Sequence, residues 1–129
     1  MANRYGEAAL MAARQGTSVK VSPIARWESA MEKLYPTSPA ARKKSSPRGA
    51  FLGLCEEGLV QGIPAGTYKA SRDDKAYAVR AVTFLTEGTE QRSTSALWRA
   101  VTNGAEKTHN SQMDVVLALW NNDLILGKY

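Results

Sequence analysis

The sequence predicts an all-α protein: six main helices, arranged as two similar three-helix units with approximate internal two-fold symmetry. Three observations predict it. Apolar residues recur at helical spacing over nearly the whole chain, the pattern of helices that bury one face. Serine or aspartate stands ahead of most of these stretches and glycine or proline behind them, the usual start and stop residues. Finally, three blocks recur in the same order. Residues 46–62 lie over 111–127 without a gap, with a serine, three leucines and a closing glycine coinciding and Val60 falling on Ile125. Tyr5, Ala9 and Gly16 match Tyr77, Ala81 and Gly88, and Ser22, Ala25 and Trp27 match Ser93, Ala96 and Trp98. The copies differ in length only between the matched blocks, where loops absorb such changes cheaply.

The first helix spans about residues 4–15, with Tyr5, Ala8, Ala9, Ala12 and Ala13 on one face and Gly16 as its C-terminal cap. Ser22-Pro23 opens the second, a capping serine followed by proline in the first turn. Its buried face carries Ile24, Trp27, Met31 and Leu34, and Pro36 ends it. Residues 37–44 connect, with room for one short helical turn. Ser46-Pro47 opens the third helix, whose stripe is Phe51, Leu54, Cys55 and Leu59, and Gly58 or Gly62 closes it.

Residues 63–74 lack helical spacing and contain Pro-Ala-Gly, so they read as the linker between copies, with Tyr68 expected to cover a seam. Asp73 or Asp74 caps the fourth helix, which buries Tyr77, Ala81, Phe84 and Leu85. Ser93-Thr94 opens the fifth, with Leu97, Trp98 and Val101 apolar and Gly104 closing. Ser111 opens the sixth in a capping-box-like start with Asp114. Val115, Val116, Leu119, Trp120 and Leu124 make the sixth helix the most apolar, so it and its counterpart, the third, are expected at the centre. The units run over about residues 4–62 and 75–127. Each alone would have a thin core, so one domain over residues 1–129 is expected to share a single core.

Composition narrows the function classes. Hydrophobic residues at 43% and charged residues at 22% belong to a folded globular chain. No apolar run is long enough to cross a bilayer, and the first residues show no signal-peptide pattern. One cysteine excludes an internal disulfide and fits a reducing cytoplasm. One cysteine and one histidine argue against a zinc site of the usual kinds, and no cofactor motif occurs. Seventeen Lys and Arg against twelve Asp and Glu leave +5, which suits solubility and also a polyanionic partner.

Cys55 with His109 would be the thiol–base pair of an enzyme, but Cys55 falls on the core stripe, where a cysteine is inert. Adjacent carboxylates such as Glu56 and Glu57 diverge around a helix and read as a solvated face. Trp27 and Trp98 read as core anchors. No set of nucleophile, base and orienting group emerges, so catalysis is not expected.

One constellation points to binding. Arg42, Lys43, Lys44 and Arg48 surround the start of the third helix at Ser46, and Lys107, His109 and Ser111 surround that of the sixth. Cations beside a helix N-terminus, with its unpaired N–H groups and partial positive charge, form an anion site. The expected function is a non-catalytic module that contacts nucleic-acid phosphates there. The second reading is a regulatory module that binds an acidic protein with the same cations, or self-associates through Tyr68 and Tyr129.

At Phe51-Leu-Gly-Leu-Cys-Glu-Glu-Gly58 and His109-Asn-Ser-Gln-Met-Asp-Val-Val-Leu-Ala-Leu-Trp120 the chain resembles a small bacterial family of uncharacterised helical domains. The resemblance extends over most of the chain. It implies a bacterial or phage source and a freestanding helical domain, and it carries over no activity, substrate or catalytic residue.

Overall fold

A computed structural model describes residues 4–14, 22–88, 93–104, 109 and 111–126. Gly16, Lys107, Gly127 and Tyr129 lie outside them. Among the described residues the chain is all-helical, with seven helices: α1 Arg4–Ala13, α2 Pro23–Leu34, α3 Pro39–Arg42, α4 Ser45–Glu56, α5 Arg72–Thr86, α6 Thr94–Val101 and α7 Gln112–Asn121. Six are the expected main helices. The seventh, α3, is the short turn in the connection before α4. No described helix is long and apolar enough to cross a membrane.

Local chemistry explains most boundaries. Ser22 Oγ accepts from Ala25 N at 3.2 Å and Ser93 Oγ from Ala96 N at 3.1 Å, satisfying amides that no helical carbonyl can reach. Two starts differ from expectation. Helix α4 begins at Ser45 with Lys44 in the cap position, so Ser46 and Pro47 lie inside the first turn. Helix α7 follows Ser111, whose φ of 69° is left-handed and whose hydroxyl makes no capping bond. An N-cap serine works from extended backbone, so Ser111 at this φ cannot serve as expected.

Helices α4 and α7 occupy the centre. Ala50–Cys55 of α4 and Val115–Trp120 of α7 are buried. Helix α4 packs on α5 and α7, while α1 packs on α2 and α7, and α6 closes against α5 and α7. The two central helices end alike. Gly58 (φ 70°) carries Leu59 N to Leu54 O at 3.0 Å, and Asp123 (φ 60°) carries Leu124 N to Leu119 O at 2.9 Å. Left-handed residues of this kind let the chain satisfy the last carbonyls. Directly beyond, Val60 and Ile125 form an antiparallel bridge, with Gln61 N on Leu124 O at 2.9 Å and Leu126 N on Leu59 O at 2.8 Å.

Residues 63–70 are non-helical, as expected of a linker, but they are tied down by Glu56, which the sequence places on a solvated face. Glu56 Oε2 accepts from Tyr68 N at 2.8 Å and Ala70 N at 3.2 Å, and Oε1 meets Lys75 Nζ at 2.9 Å. Only 11% of its side chain is exposed. Burial alone would push the Glu56 carboxyl up, but the Lys75 hydrogen bond and the two backbone N–H groups outweigh it and hold it below 4.5. Tyr68 packs partly buried against the core, while its hydroxyl donates to Pro64 O at 2.6 Å at the surface.

Glu56→Ala is therefore expected to cost about 1–3 kcal/mol in chemical denaturation, since it leaves two part-buried amides without their acceptor and Lys75 with Glu57 alone. Because the folded carboxyl is the stronger acid, its contribution is complete above pH 4.5 and is lost as the pH falls toward the folded value. The gap between wild type and Glu56→Gln should narrow over that acid range.

Candidate functional site

The connection from α3 into α4 carries the four cations predicted around the start of α4. Ser38 Oγ accepts from Ala41 N at 3.3 Å and sets up the four-residue α3. The chain leaves it through Arg42 and Lys43 and enters α4 at Lys44 within two residues. Lys44 has no side-chain acceptor to offer, so the N–H groups of Ser45 and Ser46 point out of the first turn without a capping side chain. Ser45 is exposed, while Ser46 and Arg48 are half-buried. Among the described residues, Arg42, Lys43, Lys44 and Arg48 form no ion pair.

The four are not equivalent. Arg42 and Lys43 border a hollow of about 270 Å³ with Glu28, Glu32 and Met31 of α2. Two carboxylates beside two cations leave little net field there. Lys44 and Arg48 border no such hollow and form no ion pair among the described residues, although the Asp74 carboxyl lies against α4 at Gly49.

Nothing in the sequence announces what steadies Lys44. Its Nζ stands 5.4 Å from the centre of the Tyr5 ring, a cation–π distance. Tyr5 meets Tyr35 at 5.4 Å between ring centres, and the Arg4 guanidinium stands 5.5 Å from the Tyr35 ring. Tyr5 also donates its hydroxyl to Ala41 O at 3.3 Å, tying α1 to α3. Burial first, then Tyr35, pushes the Tyr5 phenol above 10.0, so it remains a donor. Arg4 and Tyr5 are far in sequence from Tyr35 and Lys44, and the packing of α1 on α2 brings them together.

The second tip is built differently. His109 Nε2 accepts from Met113 N at 3.0 Å and takes the capping role expected of Ser111. The ring lies 5.1 Å from that of Trp98, which meets Tyr77 at 4.8 Å. Burial lowers the pKa of His109 below 6.5, Asp114 opposes this, and Lys44 adds to it. Near neutral pH His109 is thus an uncharged acceptor in this contact and not the cation that the sequence suggested. The influence of Lys44 also puts the two tips within electrostatic reach. Lys107 lies outside the described residues.

Asp74 joins the tips. Expected to cap α5, it lies instead inside that helix's first turn, buried, and accepts from the buried Gln112 Nε2 at 3.1 Å. Gly49 of α4 faces it so closely that a Cβ there would stand 2.8 Å from Asp74 Cβ. Gly49 in the second turn of α4 and the first turns of α5 and α7 therefore meet around one carboxylate.

Other candidate chemistry finds no support. Cys55 is fully buried, burial pushes its thiol far above the ordinary range, and its charged neighbours are Arg26 and Glu56. Trp27 is buried and stacked on Phe51 at 5.3 Å, so it offers no open face to a base. A wider hollow of about 540 Å³ runs along α5 past Arg72, Lys75 and Arg80. There Lys75 is held by Glu56 and Glu57, and Arg80 caps α6 through Val101 O at 2.8 Å. Among the described residues no group of three His, Cys, Asp or Glu side chains could hold a metal ion.

Comparison with curated proteins and with solved structures gives no match. A match to a family described only as of unknown function (DUF6979) runs over residues 2–126. Spanning almost the entire chain, it establishes that this protein belongs to that family.

Proposed function

We propose that this chain is a single-domain, non-catalytic binding module, made by doubling a three-helix unit, that contacts nucleic-acid phosphates through the tip of α4. The doubling is supported by the ends of α4 and α7. Each closes through a left-handed residue into the same hydrogen-bond pattern, and their extensions pair reciprocally at Val60 and Ile125, the positions that coincide in the repeat. Such a bridge is what two copies related by a local two-fold would form.

One observation carries the phosphate reading: a helix start without a capping side chain, flanked by Lys44 and Arg48, which form no ion pair among the described residues. Backbone amides and cations of this kind hold phosphate oxygens without reading bases. Binding should be weak, sensitive to salt and indifferent to sequence.

Fluorescence anisotropy with a short single strand and a short duplex, each at two salt concentrations, tests this. Removing Lys44 or Arg48 as alanine variants should weaken binding to all sequences alike. Each lost contact should flatten the logarithmic salt dependence by about 0.7 for the single strand and 0.9 for the duplex. Binding unchanged in the double variant, or no binding at low salt, refutes the proposal.

A further inference from the structure

We infer that His109 is a protonation-sensitive clamp on the start of α7, holding that helix against Trp98 while the imidazole is neutral and letting go when it takes up a proton. The clamp stands on geometry independent of any ligand. Met113 N is a first-turn amide that no carbonyl of α7 can reach, and Ser111, left-handed at φ 69°, does not serve it. His109 Nε2 does, at 3.0 Å. A ring nitrogen that accepts carries no hydrogen, so the neutral ring must hold its proton on Nδ1. The same ring lies 5.1 Å from Trp98, so one side chain fastens α6 to α7.

Protonation reverses this contact. Nε2 acquires a hydrogen and faces the Met113 N–H as donor against donor, while the new charge sits at the positive end of α7. The charged groups around it do not rescue the bond. Lys44 at the start of α4 opposes the imidazolium, and Arg99 of α6 borders the same hollow of about 310 Å³. Asp114 in the first turn of α7 favours the charged ring, but burial outweighs it. The sign follows. With the folded ring the weaker base, the clamp's contribution is complete above pH 6.5 and is lost as the pH falls from there toward the folded value.

The chain contains one histidine, so imidazole nitrogen NMR on the wild-type protein reads this residue alone. The expected result is the Nδ1–H tautomer near neutral pH, a titration midpoint below 6.5, and a Met113 amide that shifts with the same midpoint. As a second measurement, urea midpoints are compared at about pH 7.5 and about pH 5.5 for wild type and His109→Gln, whose side-chain oxygen accepts but does not titrate in this range. The wild type should lose stability on acidification by more than the variant does. The Nε2–H tautomer, a midpoint at or above 6.5, or an equal loss in both proteins overturns the inference.

Discussion

Trp27→Ala is expected to destabilise the fold by about 3–5 kcal/mol, the usual cost of emptying a buried aromatic position. Trp27 is 1% exposed and stacks on Phe51 of the central helix α4, so truncation opens a void at the junction of α2 and α4. The neighbours cannot close over it freely, because Phe51 and, one turn along α2, Met31 are themselves fully buried. A domain of this size has a net stability of about 5–15 kcal/mol, so the variant should be partly unfolded or close to it. Urea denaturation followed by far-UV circular dichroism measures this.

Trp27→Phe sharpens the point. Nε1 of Trp27 is buried and has no hydrogen-bond partner among the described residues, and such a group costs about 1–3 kcal/mol. Phenylalanine removes that burden along with part of the ring, so its loss should be well below that of alanine. Equal losses for the two variants would refute this account. A cost near zero for Trp27→Ala would remove Trp27 from the core altogether.

Gly53→Ala should be destabilising by about 1–3 kcal/mol, the range for forcing extra atoms into a packed contact. The sign is the informative part, since alanine in a helix interior ordinarily stabilises by up to about 1 kcal/mol relative to glycine. At Gly53 an added Cβ would stand 2.6 Å from Lys75 Cα. That is backbone, and α5 would have to move off α4. The displacement would also pull Lys75 from Glu56 and Glu57, loosening residues 63–70. Gly49→Ala should act in the same direction, because its Cβ would meet Asp74 Cβ at 2.8 Å. A rise in thermal midpoint for Gly53→Ala would show that α4 and α5 do not approach this closely.

Helix existence was legible because it is local. Capping serines at Ser22 and Ser93, prolines in first turns and apolar spacing all act within four residues. The central place of α7 was equally readable from apolar residues around its whole circumference, and that of α4 from its match to α7 in the repeated blocks. The gathering of Arg42, Lys43, Lys44 and Arg48 was readable too, since they follow one another in the chain.

What stayed hidden in the sequence acts across it. Glu56 looked solvated because nothing nearby in sequence announces Tyr68, Ala70 and Lys75 as its partners. Ser111 looked like a cap, but its backbone is left-handed, and His109 looked like a cation, but burial and an acceptor geometry make it neutral. Arg26 reaches Ala12 O at 3.4 Å from inside the core, a role no periodicity encodes.

By itself, then, the amino-acid sequence determined which segments are helical, which faces they bury and which cations cluster at the start of α4. Those properties depend on contacts within one or two turns. The tertiary structure alone decided which of those cations stand beside the carboxylates of α2, that Tyr5 steadies Lys44, and that a histidine closes the second tip. Each of these arises where side chains far apart in the chain meet in a low-dielectric contact, and there burial and hydrogen bonding override residue type in setting charge.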